Sequence, residues 1–292
     1  MSTGSSSRTT KPSKTTVKPL LRKPAAAPRV RRPTAAPRVS SPATAFAKDG
    51  FFIARGLFAD RIGDLERSFD RIVAQLATSG ENTNARWGGT ASDQVNGSGR
   101  IVTHTHNVQM YDALWATLWY EPRFLDLCEA FLGPDLALHH TKLFQKPAER
   151  GAAFPMHQDW GYFPVEGDRC LAAIVHVSRA DEQMGCLRIV PGSHRAGRIV
   201  NAKGDGDLTE LQRRHPLESA VPVLCQPGDV VFFHCLTVHG SGLNTHPTEV
   251  RKTVLAQVYD AKTVATPGQH HYNSRFMLRG VNPRMTRSNS DH

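Results

Sequence analysis

The sequence predicts a mainly β domain, an antiparallel sandwich or barrel, with helices packed beside it. Three observations predict it. From Leu136 onward, short apolar or alternating runs recur: LALHHTKLF, CLAAIVHV, CLRIV, VPVL, DVVFFHC and KTVLAQVYD. Gly, Pro and Asp separate them, as in PAERG, PGSH and QPGD. Before Leu136 the apolar residues follow helical spacing instead. No strand alternates with a helix and no GxGxxG or P-loop occurs, so a parallel nucleotide-binding sheet is disfavoured.

Taken in order, residues 1–45 hold ten Lys/Arg, seven prolines and no acid. Such a segment buries too little apolar area to offset the entropy of ordering, so a disordered basic tail is expected. A domain over 46–270 and a C-terminal extension over 271–292 follow. Ile62, Leu65, Phe69, Ile72, Val73 and Leu76 fit one face of a helix that starts near Asp60, a candidate N-cap. Thr78 to Arg100 is polar and Gly-rich and reads as a long loop, of the kind that serves as a functional lid. Gln109 to Leu132 reads as helical, broken at Pro122 and stopped by Gly133-Pro134.

The chain has 292 residues and a net charge of +10. The tail carries all of that excess, because the remaining 26 Lys/Arg balance 26 acids. Three readings of the tail compete: a solvated extension, a transit peptide, or an arm that binds nucleic acid by releasing phosphate counterions. Its prolines oppose the amphipathic helix that mitochondrial import prefers. No run of 18 apolar residues exists, so no membrane-spanning helix is expected, and no apolar segment reads as a secretory signal. The five cysteines form no C-x-x-C pair and are odd in number, which argues for a reducing compartment. The chain ends Ser290-Asp291-His292, not in the S-K-L address. A cytoplasmic location is expected, with mitochondrial or plastid import through the tail as the alternative.

One His157-x-Asp159 pair occurs, after the short extended segment FPM. In a strand, residues i and i+2 face one side, so an imidazole and a carboxylate are offered to one point. His239, at the end of DVVFFHCLTVH, supplies a third group. Two His and one carboxylate form the facial triad of non-haem Fe(II) oxygenases, which leaves open positions for a bidentate co-substrate and O2. Taken singly, H-x-D is also a surface turn and His239 a core histidine. Arg251 raises the joint reading: it begins RKTVLAQVYD, which can run back beside the strand holding His239. Its planar guanidinium matches a carboxylate bidentately, as a 2-oxoacid would need. Ser241 is a candidate for a further hydroxyl contact, or for turn chemistry in HGSG.

MHQDWGYFP, GCLRIVPGSH, PGDVVFFHCLTVHGSGLN and the Arg251 segment resemble the phytanoyl-CoA dioxygenase (PhyH-like) family of Fe(II)/2-oxoglutarate oxygenases, as does the opening FAKDGFFIARGLFADRIGDLERSFD. The likeness covers about residues 46 to 262. It implies a double-stranded β-helix (a cupin-like jelly roll) with helices outside, and Fe(II), 2-oxoglutarate and O2 as cofactor and co-substrates. It implies that His157, Asp159 and His239 are the catalytic iron ligands and that Arg251, Ser241 and Lys142 contact 2-oxoglutarate. The implied reaction hydroxylates an unactivated C–H of a small-molecule substrate, releasing succinate and CO2. Family members often carry a Trp in the strand CLAAIVHV, and this chain has none, a difference that bears on pocket shape. The related halogenases replace the triad carboxylate with a small residue; Asp159 is present, so halogenation is disfavoured.

Trp160, Tyr162, His106 and Gln109 are the candidate substrate contacts, against core packing for the aromatics and a surface or helix-entry role for His106 and Gln109. His104 with His106, His139 with His140, and His270 with His271 each invite a second metal site, which a complete triad makes unnecessary. His194 is expected to hold a turn, and Asn244 to bond local backbone. The alternatives are an acyl-CoA 2-hydroxylase specifically, or a catalytically silent metal-binding jelly roll with a nucleic-acid-binding tail.

Overall fold

The computed structural model describes residues 1, 2, 4, 41–162, 166–200, 210–263 and 275–287. The rest of the tail, the FP of HQDWGYFP, His270-His271 and the last five residues lie outside the described residues. The chain divides into a unit of residues 1–39 and a unit of residues 40–292. All helices and strands named below belong to the second.

Helix α1 (Pro42–Asp49) starts on a Ser41 side chain that accepts from Thr44 N, places Pro42 in its first turn, and stops at Gly50 in the left-handed region. The last residues of the segment read as tail, 42–45, are thus helical, because a good cap and Phe46, buried against Phe131, hold the helix. Strand β1 (Phe51–Ala54) follows, then α2 (Ile62–Thr78). Leu65, Phe69, Ile72 and Leu76 form the buried face of α2 as expected, with Ser68 added. Asp60 is not its cap: it sits in a 3-10 turn and pairs with Arg123. The expected loop over 78–100 contains a helix, α3 (Thr90–Asn96). Thr103–His106 is strand β2 rather than a helix entry. The helical stretch from 109 is in fact a 3-10 turn (Val108–Met110) followed by α4 (Ala113–Leu118) and α5 (Pro122–Leu132). Asp112 caps α4, and Pro122 opens α5.

The remaining elements are β3 (Leu136–Lys146), β4 (Phe154–His157), β5 (Cys170–His176), β6 (Leu187–Ile189), α6 (Glu210–Arg214), β7 (Val221–Val223), β8 (Val230–His234), β9 (His239–Ser241), β10 (Arg251–Asp260) and β11 (Phe276–Arg279). They form two antiparallel sheets. One has the order β1-β8-β5-β10-β3-β11, with β2 also on β3; the other is β4-β9-β6-β7. The segment expected to be a C-terminal extension thus lends an edge strand, β11, to the large sheet.

Alternation along each strand sorts side chains between two layers. Leu171, Ala173 and Val175 of β5, with Val230 and Phe232 of β8, pack under α2, α4 and α5 against Leu65, Phe69, Trp115 and Phe124. Ile174 and Phe233, one residue out of phase, face the small sheet with Leu187 and Ile189. In β3 the phase changes. Gln257 of β10 pairs with His140 and Val258 with Leu138, so His139 is an extra residue. That bulge lets Leu136 and Leu138 join the helix-side core while His140, Lys142 and Phe144 turn into the cavity between the sheets.

His176, at the end of β5, is buried beside Arg251. Burial first, then Arg251, pushes its pKa down to about 3. Between pH 3 and 6.5 the unfolded chain therefore binds a proton there that the folded chain does not. Stability is expected to fall as pH drops through 6.5, by about 1.4 kcal/mol per pH unit from this residue. Urea denaturation from pH 7 to 4.5 checks this, and His176→Gln should flatten the slope. An identical slope in the variant would refute the assignment.

Candidate active site

The H-x-D pair lies where β4 runs into a 3-10 turn over Asp159–Gly161. His157 pairs in register with His239 of β9, and their rings stand 4.2 Å apart between centroids. His157 Nδ1 lies 2.9 Å from the Pro155 carbonyl, and His239 Nδ1 lies 2.9 Å from the Thr237 carbonyl. A carbonyl only accepts, so each Nδ1 carries the proton and each Nε2 presents a lone pair. Both Nε2 atoms are 3.6 Å from Asp159 Oδ1. One ligand atom from each of the three residues lies within 4.8 Å of the others, and all three residues are buried. Among the described residues this is the one His/Cys/Asp/Glu group with that geometry. Burial and the neighbouring His157 push His239 down to about 4, keeping it neutral. Burial raises Asp159, but His239, His157 and Lys142 outweigh it and hold the carboxyl below its usual value.

The triad opens on a cavity of about 240 Å³ between the sheets. Arg251 and Ser241 line it, and both are buried. Arg251 does not sit on a neighbour of the His239 strand, as the sequence suggested. β10 pairs with β3 and β5 in the large sheet, and the guanidinium reaches the cavity from the opposite wall. The chain switches sheets between β9 and β10, so adjacency in sequence becomes a facing position across the sandwich. Burial lowers Arg251 to about 10. Its Nη1 donates to the Gly185 carbonyl, while Nε is buried without a hydrogen-bond partner among the described residues.

Gly185 must be glycine for this contact. Its φ is +68°, and a Cβ there would lie 2.3 Å from the Gly242 carbonyl oxygen and 2.6 Å from Leu243 backbone. Gly185→Ala is expected to cost about 3 kcal/mol and lower Tm by roughly 5–10 °C, readable by calorimetry. An unchanged Tm would contradict the packing described.

The family can be settled beside this geometry. The profile of phytanoyl-CoA dioxygenase (PhyH) matches residues 46–253. The chain belongs to the PhyH family. It is 28% identical over 217 residues to the human peroxisomal phytanoyl-CoA dioxygenase, a match that covers 68% of this chain and 62% of that protein. Less than two thirds of that relative's length is thus spanned. It is 25% identical to the ectoine dioxygenase of Sphingopyxis alaskensis, over 70% of this chain and 71% of that one. The crystal structure of EctD from S. alaskensis in its apoform superposes with a TM-score of 0.62 at 23% identity, covering 86% and 87% of the two chains. That likeness establishes the fold, a jelly roll with helices outside.

Within this PhyH fold the other expected residues divide. Lys142, His106 and Tyr162 line the cavity. Trp160 does not: it packs with Cys235, Leu236 and Tyr259, under the Arg198 guanidinium at 4.7 Å. The 3-10 turn explains the split, since i and i+3 eclipse there, which returns Tyr162 to the side of Asp159 and sends Trp160 away. Gln109 is also absent from the cavity wall; its Oε1 accepts from Thr141 Oγ1 at 2.5 Å. His194 bonds the Ala47 carbonyl, a structural role. Asn244 bonds local backbone at His246 and Glu249 and also reaches the Lys146 carbonyl on β3.

Sequence reasoning missed several residues. Trp87, from the stretch read as a lid, stands edge-on to His157 at 4.6 Å and lines the cavity with Tyr162. Gln158 clamps the motif from behind, donating to the Leu236 and Gly197 carbonyls and accepting from Ile199 N. Lys146 is wholly buried, directly opposite Arg251 across β3 and β10. It donates to Ser241 Oγ at 2.7 Å and the Gly242 carbonyl at 2.6 Å. Burial and Arg251 hold its pKa well below the usual lysine value. A lysine inside the apolar-looking run TKLFQKP carries no signal of this from sequence alone.

Proposed function

We propose that this chain is an Fe(II)- and 2-oxoglutarate-dependent dioxygenase that hydroxylates a C–H bond of a small organic substrate, releasing succinate and CO2. The observation that carries this is the convergence of two Nε2 lone pairs and one carboxylate on a point in the cavity between the sheets, with a buried guanidinium on the facing wall. The donor set fits Fe(II). Two neutral imidazoles and a carboxylate are the facial triad, and Asp159 Oδ2 is buried with no hydrogen-bond partner among the described residues. The Pro155 and Thr237 carbonyls fix both ring orientations from behind.

The far end fits a carboxylate. Arg251 is a buried cation with Lys146 buried beside it, and among the described residues no acidic side chain accompanies either, a state that an incoming anion relieves. Ser241 accepts from Lys146, so its own hydroxyl proton is free to donate to that anion. Arg251 and Ser241 then hold the distal carboxylate of 2-oxoglutarate, while His157, Asp159 and His239 hold the iron. When bound, the iron and 2-oxoglutarate supply the oxidising chemistry. The protein fixes the co-substrate at both ends, and Trp87, Tyr162, Phe144 and Phe233 keep the cavity wall apolar and exclude water. Succinate formation from 2-oxoglutarate that needs Fe(II) and rises with added substrate tests the reading. A protein that binds Fe(II) yet forms no succinate with any acyl-CoA, amino-acid or natural-product pool would end it.

A further inference from the structure

One cation in the cavity has no task in this reading. Lys142 lies on the inward face of β3, in register with Leu255 of β10 and His106 of β2. Its ammonium lines the cavity over the Phe144 ring, 4.9 Å from the centroid. No hydrogen-bond acceptor meets it among the described residues, and the charge that opposes its burial is Asp159. Burial lowers its pKa to about 8, so it is still mostly charged at neutral pH.

Two imidazoles flank it. His140 precedes it by two residues on the same inward face, and His106 stands across from it on β2 at the exposed mouth. The His106 and His140 rings are 5.7 Å apart. This basic corner is remote from the Arg251 end. Arg251 and Leu255, the partner of Lys142, are four residues apart on β10, about 13 Å of strand.

Resting on the reading of Arg251 and Ser241 as the co-substrate site, we infer that the substrate is a small organic anion. Its acidic head group binds Lys142, with His106 and His140 at its sides, and its carbon chain lies along Phe144 toward the triad. A carboxylate and a phosphonate share the required chemistry: a compact negative charge with several acceptor oxygens. Lys142 thereby becomes a specificity residue for the substrate rather than a 2-oxoglutarate contact.

The test is calorimetric titration of the Fe(II)- and 2-oxoglutarate-loaded protein without O2. The probes are hexanoate, hexylphosphonate and the neutral hexanamide. The proteins are wild type, Lys142→Met and Lys142→Arg, with the 2-oxoglutarate Kd measured for each. At least one acid should bind wild type about ten-fold or more tighter than the amide. Lys142→Met should erase that preference and Lys142→Arg should retain it, with the 2-oxoglutarate Kd moving less than about three-fold throughout. No acid preference in wild type, or one that survives in Lys142→Met, overturns the inference. So does a Lys142→Met protein that loses 2-oxoglutarate affinity about ten-fold, since Lys142 would then belong to the co-substrate. Wild-type protein that fails to bind 2-oxoglutarate at all would instead defeat the underlying reading of the Arg251 site.

Discussion

Asp159→Ala should lose at least about 10³-fold in substrate-stimulated succinate formation, corresponding to several kcal/mol of metal-dependent stabilisation. Asp159 is the only carboxylate of the triad, and its Oδ1 is equidistant from both Nε2 atoms. Without it, two neutral imidazoles remain, and they hold Fe(II) without neutralising any of its charge. The loss should not come from unfolding. In the metal-free chain Asp159 is a buried carboxylate whose Oδ2 has no hydrogen-bond partner among the described residues, so its removal relieves a burial cost, and Lys142, the cation it faces, has a pKa already lowered to about 8 and can give up its proton. The metal-free variant should therefore melt within a few degrees of wild type, while Fe(II) affinity collapses. Succinate by chromatography, iron by equilibrium dialysis and Tm by calorimetry separate these. A variant that retains both iron and turnover sinks the triad.

The second large effect belongs to the facing wall. Arg251→Met should raise the Kd and KM for 2-oxoglutarate about 10- to 100-fold, the worth of one bidentate charge-assisted contact. kcat at saturating 2-oxoglutarate should change less, because the lost interaction is made equally before and during the reaction. The guanidinium is buried, its Nε has no hydrogen-bond partner among the described residues and burial already lowers its pKa to about 10, so the fold without ligand gives up little when it goes. Its hydrogen bond to the Gly185 carbonyl orients it rather than stabilising a helix or sheet. Anaerobic titration of the iron-loaded protein with 2-oxoglutarate measures the effect. An unchanged Kd would remove Arg251 from the co-substrate site.

Much of this site is legible along the chain because its ligands are local chemistry. H-x-D and a histidine closing an apolar run are distinctive residue types at fixed spacing. Each imidazole, moreover, is oriented by the carbonyl two residues before it. The α2 face and the main strands are legible for the same reason, since periods of 3.6 and 2 are written in neighbouring residues. Trp160 and Tyr162 were not separable in this way. An extended reading puts alternate residues together, whereas a 3-10 turn puts every third together, and residue type does not choose between them.

The sequence by itself pointed to an antiparallel sandwich or barrel, to helices beside it and to the three residues of the candidate metal triad. These rest on the periodicity of apolar side chains and on the functional groups present. Only the tertiary structure decided which wall each residue serves. The extra residue at His139 turns Lys142 and Phe144 inward, and the change of sheet after β9 sets Arg251 across from His239 instead of beside it. Burial likewise joins Lys146 to Ser241 over 95 residues. Register, sheet exchange and desolvation are properties of strands brought together, and no single segment carries them.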